Sequence, residues 1–430
     1  MESTTKPESS SQQPPGDKSR WVGKAALFLA GQTVSLFGSS LVQYAIIWYI
    51  TLQTKSGTMI MLSTLCGFAP QIAITLFAGV WADRYDRKRI IILADAMIAV
   101  ATLALAVLYM LGHGQLWMLL VISAIRSFGS GLQQPAVSAF IPQIVPQEKL
   151  MRVAGINGTI QSLIMLASPA VSGLLYALAK LEYIFFIDVF TAAIAITIMW
   201  LLKVPPHKKA LEAPTGGYFD DLKAGFAYIR CHSFVKSLLR FFAVFSFLIV
   251  PAAFFTPLMV TRTFGEEVWR LTAIEMLFSG GMTVGGLIVA AWGGFKDRSI
   301  TIAVTCVLFG ALSVVLGIFV YFWFFLAVML LMGLLIPFFN TANMVMLQER
   351  VENDFQGRVF SFVNLMMVAA MPLGTVVFGP VADLVSIELL LMLSGAALMA
   401  LGAWAFFDKN LKGLGPATCE PPTGEAGKPQ

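Results

Sequence analysis

The chain has 430 residues, of which 57% are hydrophobic and only 12% charged, whereas an ordinary soluble globular chain is about 25% charged. That balance excludes a soluble enzyme. The net charge of +5 would suit nucleic acid, but in so apolar a chain the placement of Lys and Arg matters more than their sum, and no nucleic-acid partner is expected.

Residues 1–20, rich in Ser, Pro and Gln, read as a disordered tail. They lack the short apolar core and cleavage site of a signal peptide. Stretches of roughly 20 apolar residues follow, the length a helix needs to cross a hydrocarbon core. The first six predicted spans are 25–53, 60–82, 89–112, 115–141, 153–178 and 182–203, and the second six are 235–262, 268–292, 299–319, 321–347, 356–380 and 384–407. The turn near Gly317 to Tyr321 has almost no polar loop. The expected fold is an all-α membrane protein of 12 transmembrane helices in two six-helix bundles, 21–203 and 235–409. A linker at 204–234 joins them, and residues 410–430 form a second disordered tail. Within the linker, Phe219, Leu222, Phe226 and Ile229 share one helical face, which reads either as an interfacial amphipathic helix or as an extension of the seventh span.

Span 1 carries Gln43, Tyr44 and Trp48. Span 4 carries Gln133 and Gln134, and span 10 carries Asn340 and Asn343. Neutral amides beside aromatic rings suit a large ligand with few charges, and the 21 Met residues suit adaptable packing. Each of these side chains could equally pack between helices. Span 2 closes on Gly79-Val80-Trp81-Ala82-Asp83-Arg84-Tyr85-Asp86-Arg87-Lys88-Arg89, the densest charge run in the chain. Gly79 permits close helix approach, and Asp83 suits the positive end of a neighbouring helix. Asp95, two turns beyond that run in span 3, is expected to belong to the same latch.

An arginine in mid-membrane must face a cavity or a carboxylate, which applies to Arg126 in span 4. Asp188 in span 6 and Glu275 in span 8 are the candidate proton carriers, with Arg126 able to lower the proton affinity of a neighbouring acid. The rival for each is a static ion pair or a water-exposed helix end. In span 5, Pro169 breaks a backbone hydrogen bond and Gly173 permits close packing, both useful where a helix must bend or slide.

Two echoes relate the halves. Asp83 of GVWADR and Asp297 of GGFKDR, the latter followed by Arg298, are 214 residues apart. Arg152-Val153 and Arg358-Val359 are 206 apart. Parallel repeats of this kind are a known transporter plan, with the substrate site at midplane between them. Of the 29 Lys and Arg residues, 24 fall in the tails and in the loops on one side, so both termini are expected in the cytoplasm.

Neither the four scattered cysteines nor the three histidines form a metal-binding or catalytic pattern, and no metal, cofactor or enzymatic role is expected. A phosphate-cradling GxxxxGK[ST] loop is absent from the sequence, so the energy must come from a gradient rather than ATP.

The Gly79 to Lys88 run resembles the signature loop of the major facilitator superfamily, G-x-x-x-D-R-x-x-R-K, at every fixed position. The resemblance implies that Asp83, Arg84, Arg87 and Lys88 form a latch facing helix 11. Arg126-Ser127-Phe128-Gly129-Ser130-Gly131 resembles the second motif of that family with closer glycine spacing. Ser168-Pro169-Ala170-Val171-Ser172-Gly173 resembles its exporter motif, with Ser at the first glycine. Ala30 to Leu36, Ile187-Asp188-Val189, Ser279 to Met282 and Gly357 to Ser361 look like the macrolide-efflux branch. That resemblance implies proton-coupled export of a bulky amphipathic drug by alternating access. The other readings are export of a siderophore, metal or lipid, import, and a non-transport receptor or scaffold. The expected partners are the small-molecule substrate, protons and membrane lipid, with the protein acting as a monomer in the cell inner membrane.

Overall fold

A computed structural model describes residues 20–204, 229, 232–295, 297–319 and 321–411, and all regular structure among them is helical. The tails and most of the linker, including Phe219, Leu222 and Phe226, lie outside the described residues. The first six helices are α1 (Arg20–Thr54), α2 (Gly57–Arg84), α3 (Arg87–Met110), α4 (Leu116–Ile144), α5 (Leu150–Leu178) and α6 (Leu181–Leu201). The remainder are α7 in three pieces, α8 (Val268–Trp292), α9 (Arg298–Ile318), α10 (Phe322–Arg350), α11 (Asn353–Leu384) and α12 (Ile387–Phe407). Ten of these are long and apolar enough to cross a membrane, and α11 contributes a shorter apolar stretch at Ala369–Leu384. In lipid a helix is a natural solution because it satisfies its backbone internally.

The expectation of one unbroken helix over 235–262 is corrected. The segment divides into α7a (Ser233–Leu248), α7b (Val250–Phe254) and α7c (Thr256–Thr263), and Pro251 and Pro257 stand near the starts of the second and third pieces. Proline has no N–H to give to the preceding turn. At the second break the Thr256 hydroxyl donates to the Ala252 carbonyl. The tight turn expected near Gly317 to Tyr321 is present, since α9 ends at Ile318 and α10 begins at Phe322.

Caps explain several starts. The Ser56 hydroxyl accepts from Met59 N at the head of α2, Asp86 accepts from Lys88 N at α3, and Asp297 accepts from Ser299 N at α9. Each fills one of the orphan donors of a first helical turn.

The packing repeats with a shift of six helices. In the first half α2 packs on α4, α3 on α4 and α6, and α1 on α5 and α6. In the second half α8 packs on α10, α9 on α10 and α12, and α7a on α11 and α12. The halves meet through α2 with α11 and α5 with α8, two pairs that exchange under the same shift. Small residues set the spacing. Gly310 of α9 and Gly395 of α12 face each other, so a Cβ on either would press against the backbone of the other.

Replacing Gly395 with Leu puts four heavy atoms where a backbone already stands. Overpacking of this kind costs about 1–3 kcal/mol. The expected outcome is a fall of several degrees in the melting temperature of the detergent-purified protein, and an unchanged melting curve would contradict the α9–α12 contact.

Candidate functional site: a cavity between the two halves

Positions are given relative to the end bearing the 79–89 run, the basic end, and the opposite end. Within the first half, Gly38 lets the backbone of α6 close on α1. That approach brings Arg126 and Asp188 together as a buried ion pair. Arg126 Nη1 also donates to Thr102 Oγ1 at 2.7 Å and Nη2 to the Ser39 carbonyl at 3.1 Å, while Ser39 Oγ donates to Asp188 Oδ1 at 3.1 Å. Both carboxylate oxygens therefore have donors. Removing one member of such a pair leaves an uncompensated buried charge, at a cost of about 3–5 kcal/mol.

Asp95 lies inside the same half rather than at the basic loop. Ser35 Oγ and Gln133 Nε2 donate to its Oδ1 at 3.2 and 2.7 Å, and its buried Oδ2 has no partner among the described residues.

A cavity of about 470 Å³ opens beside this polar core in the basic half, walled by α1, α4 and α5. Its lining includes Gln32, Gln43 and Tyr44 of α1, Gln133 and Gln134 of α4, and Asn157 and Gln161 of α5. A second space of about 180 Å³ continues toward the opposite end and also touches Gln43 and Tyr44. Its walls come from both halves: Trp48 of α1, Ser63, Thr64 and Phe68 of α2, Phe254 and Pro257 of α7, and Glu275 of α8. Tyr44 and Trp48 pack at a ring separation of 5.5 Å, and Phe68 meets Phe254 edge-on at 6.4 Å. Among the described residues Glu275 is the one carboxylate in the combined lining, which otherwise mixes amides, hydroxyls, aromatic rings and aliphatic side chains and includes no Lys, Arg or His. It has no hydrogen-bond or ion-pair partner among the described residues, whereas the Trp48 Nε1 donor is buried without an acceptor. Asn340 and Asn343 stand apart from both spaces; Asn343 is buried and donates to the Phe339 carbonyl at 2.8 Å.

Beyond this cavity the opposite end is clasped by one carboxylate. Asp383, in the last turn of α11, accepts from Gly57 N at 2.6 Å, Thr58 N at 2.9 Å, Thr58 Oγ1 at 2.7 Å and Ser56 Oγ at 2.8 Å. It thereby occupies the orphan donors and positive pole at the start of α2. Arg262 Nη2 of α7c reaches the same carboxylate at 3.0 Å, and its Nε and Nη2 also bind the Lys55 carbonyl. Lys55 holds a left-handed backbone with φ of 46°, and its ammonium pairs with Glu266. Gly379 makes the approach possible, because a Cβ there would press on Met61 and the Gly57 carbonyl. Further along the seam, a Cβ at Gly173 would collide with the Thr272 side chain. Pro169 is buried in α5, one turn before that contact.

At the basic end the signature residues cap helices. Arg87 Nε and Nη1 donate to the carbonyls of Ala82 and Ala139, near the ends of α2 and α4, at 2.9 and 2.8 Å. Lys88 Nζ donates to the Trp200 and Leu202 carbonyls at the end of α6 at 3.0 and 2.9 Å. Arg298 Nη1 does the same for Gly293 and Phe295 after α8. Gly79 faces open space, Arg84 is exposed, and the side chains of Asp83 and Arg358 fall outside the described set.

Sequence reasoning passed over Asp383, Arg262 and the paired rings Phe68 and Phe254. A signal for the first was present, since Gly379-Pro380-Val381-Ala382-Asp383 repeats the G-x-x-A-D spacing of Gly79 to Asp83.

The sequence profile of the Major Facilitator Superfamily matches residues 28–375. Macrolide efflux protein A of Streptococcus pyogenes is 30% identical over 383 residues, covering 89% of this chain and 95% of that protein. The staphyloferrin A transporter of Staphylococcus aureus is 21% identical, covering 90% and 96%. Among solved structures, the nucleoside transporter NupG superposes with a TM-score of 0.69 at 14% identity, over 90% of this chain and all of that one. The twelve-helix plan with its interfacial cavity is that of a secondary transporter, and the chain belongs to the Major Facilitator Superfamily. It is a multi-pass membrane transporter of small molecules and not an enzyme.

Hydrogen bonds to a charged group contribute about 1.5–3 kcal/mol each, so removing Asp383 should loosen the contact of α2 with α11. Asp383→Ala should widen the opposite end. Spin labels at Gly112 and Tyr321 would show a longer interlabel distance population at least tenfold more abundant than in wild type, and an unchanged distribution would remove Asp383 as the clasp.

Proposed function

We propose that the protein exports a bulky amphipathic molecule of the macrolide type across the cytoplasmic membrane in exchange for protons, acting as a monomer by alternating access. The basic end faces the cytoplasm in this reading, and both termini lie there, because cationic connections are retained on that side. The observation that carries it is Glu275, an acid without an ionic partner among the described residues, on the wall of a cavity whose other lining is amides, hydroxyls, aromatic rings and aliphatic side chains. An acid buried in a bilayer is costly as a charge. Taking up a proton removes that cost, and releasing it demands water or a compensating ligand.

Of the two candidate carriers, Glu275 is the one that substrate can meet, whereas Asp188 is committed to Arg126 and Ser39. Arg126 and Asp188 act in this account as a fixed ion pair that holds α1, α4 and α6 in register. The lining contains no Lys or Arg, which fits a neutral or cationic ligand better than an anionic one. The likeness to macrolide efflux protein A over most of both chains supports the substrate class and the direction.

The test is accumulation of a labelled macrolide in cells with and without the protein. Expression should lower accumulation several-fold, and a protonophore should restore it. Glu275→Gln should abolish the protonophore-sensitive part at unchanged membrane abundance, whereas Asp188→Asn should chiefly lower the yield of folded protein. A rise in accumulation on expression would reverse the direction, and no change would remove the macrolide class. Full activity in Glu275→Gln would remove the coupling assignment.

A further inference from the structure

A second apolar space, distinct from the transport cavity, lies between α1 and α5 at the basic end. Its volume is about 610 Å³, and its walls are the Trp21–Val34 stretch of α1 with Val153, Ile156 and Ile160 of α5. Thr33 is the one uncharged polar side chain in it, and Lys149 and Arg152 stand at its mouth. It shares only Leu29 with the transport cavity. The two spaces also differ in chemistry: the transport cavity mixes amides with apolar side chains, whereas the groove has no amide side chain.

Three features identify what fits there. Thirteen helical steps from Trp21 to Val34 rise about 20 Å, a little more than the roughly 15 Å of hydrocarbon in one leaflet, so the groove accommodates an acyl chain lengthwise. Trp21 sits at the start of the groove, where an amphipathic ring belongs at a membrane interface. Lys149 and Arg152 are both exposed and have no ion-pair partner among the described residues; Glu148, adjacent in sequence, forms no ion pair with either. Two unpaired cations above an apolar slot complement an anionic headgroup above an acyl chain.

We propose that this groove is a binding site for one anionic phospholipid, with its phosphate on Lys149 and Arg152 and an acyl chain between α1 and α5. The site places a lipid against α5, the helix whose far end closes on α8 through Gly173. Lipid occupancy and the spacing of α1 from α5 are therefore linked. In the cell the orientation proposed above puts the groove in the cytoplasmic leaflet, but binding itself needs only that a bilayer present the lipid. A failed test of transport direction leaves it standing, and the reverse also holds.

The experiment uses the full chain reconstituted with equal amounts of phosphatidylglycerol and phosphatidylcholine, re-extracted in mild detergent and weighed by native mass spectrometry. Wild type should retain one phosphatidylglycerol in preference to phosphatidylcholine. Two cations near a membrane surface together account for roughly a 30-fold preference, so Lys149→Gln with Arg152→Gln should lower retention at least fivefold. Ile156→Trp fills the slot without touching either cation and should lower it as well. Lys180→Gln removes an exposed cation at the opposite end and should retain the lipid as wild type does, and melting curves confirm that each variant is folded. Unchanged retention in the double variant overturns the proposal, as does equal retention of the two lipids or equal loss in Lys180→Gln. Mole-for-mole displacement of the lipid by added macrolide also overturns it, by making the groove a path for substrate.

Discussion

Charge in a low-dielectric interior must be paired, hydrated or neutralised by a proton, because the alternative costs several kcal/mol per group. The polar architecture of this transporter follows from that constraint. Arg126 and Asp188 solve it by pairing, with Ser39 and Thr102 filling the remaining positions. Lys88 and Arg87 solve it at the membrane edge by taking the carbonyls that close α2, α4 and α6. Asp383 does so at the other edge by taking the amides that open α2. Glu275 alone among these acids lines a cavity with no fixed partner among the described residues, which is why the proposed coupling is placed on it.

The two membrane edges use one device in opposite directions. A glycine followed four residues later by an aspartate ends α2 at the basic end and α11 at the opposite end. In the second copy the device is engaged: Gly379 admits the backbone of α2, and Asp383 caps it. In the first copy Gly79 faces open space. The packing pairs of the two halves also correspond under a shift of six helices, with α2–α11 and α5–α8 exchanged. A seam built from equivalent halves offers equivalent glycine–aspartate positions at its two ends, which suits the alternating access proposed above.

Much of this was legible in the sequence, and the rest was hidden for identifiable reasons. Spans, the mid-membrane Arg126 and the signature loop announce themselves because apolar runs and isolated charges are local signals. Depth alone made Arg126 and Asp188 compatible, but only folding showed that Gly38 brings their helices into contact. Asp95 was misplaced because distance along the chain from the basic loop says nothing about which way a helix turns its side chain; it points to Ser35 and Gln133. Asn340 and Asn343 were grouped with the cavity on residue type, yet type does not fix azimuth. Asp383 was overlooked because it lies just past an apolar run, where an acid usually means only that a loop has begun. Its importance comes from Ser56, Gly57 and Thr58, more than 300 residues earlier in the sequence.

The broken seventh span connects these points. Unbroken, a helix from Ser233 to Thr263 would hold Arg262 and Phe254 in one rigid register. The prolines at 251 and 257 interrupt the backbone ladder twice, and the pieces between them carry Phe254 and Pro257 into the cavity wall and Arg262 into the clasp. Cavity and clasp therefore share one short segment, Phe254 to Arg262, interrupted by Pro257. A ligand that pushes on Phe254 acts on the same piece of chain that anchors Arg262 to Asp383 and to the Lys55 carbonyl. Because a helix interrupted by proline yields more readily than a continuous one, the proposed alternating access has in this segment a mechanical link between cavity and clasp.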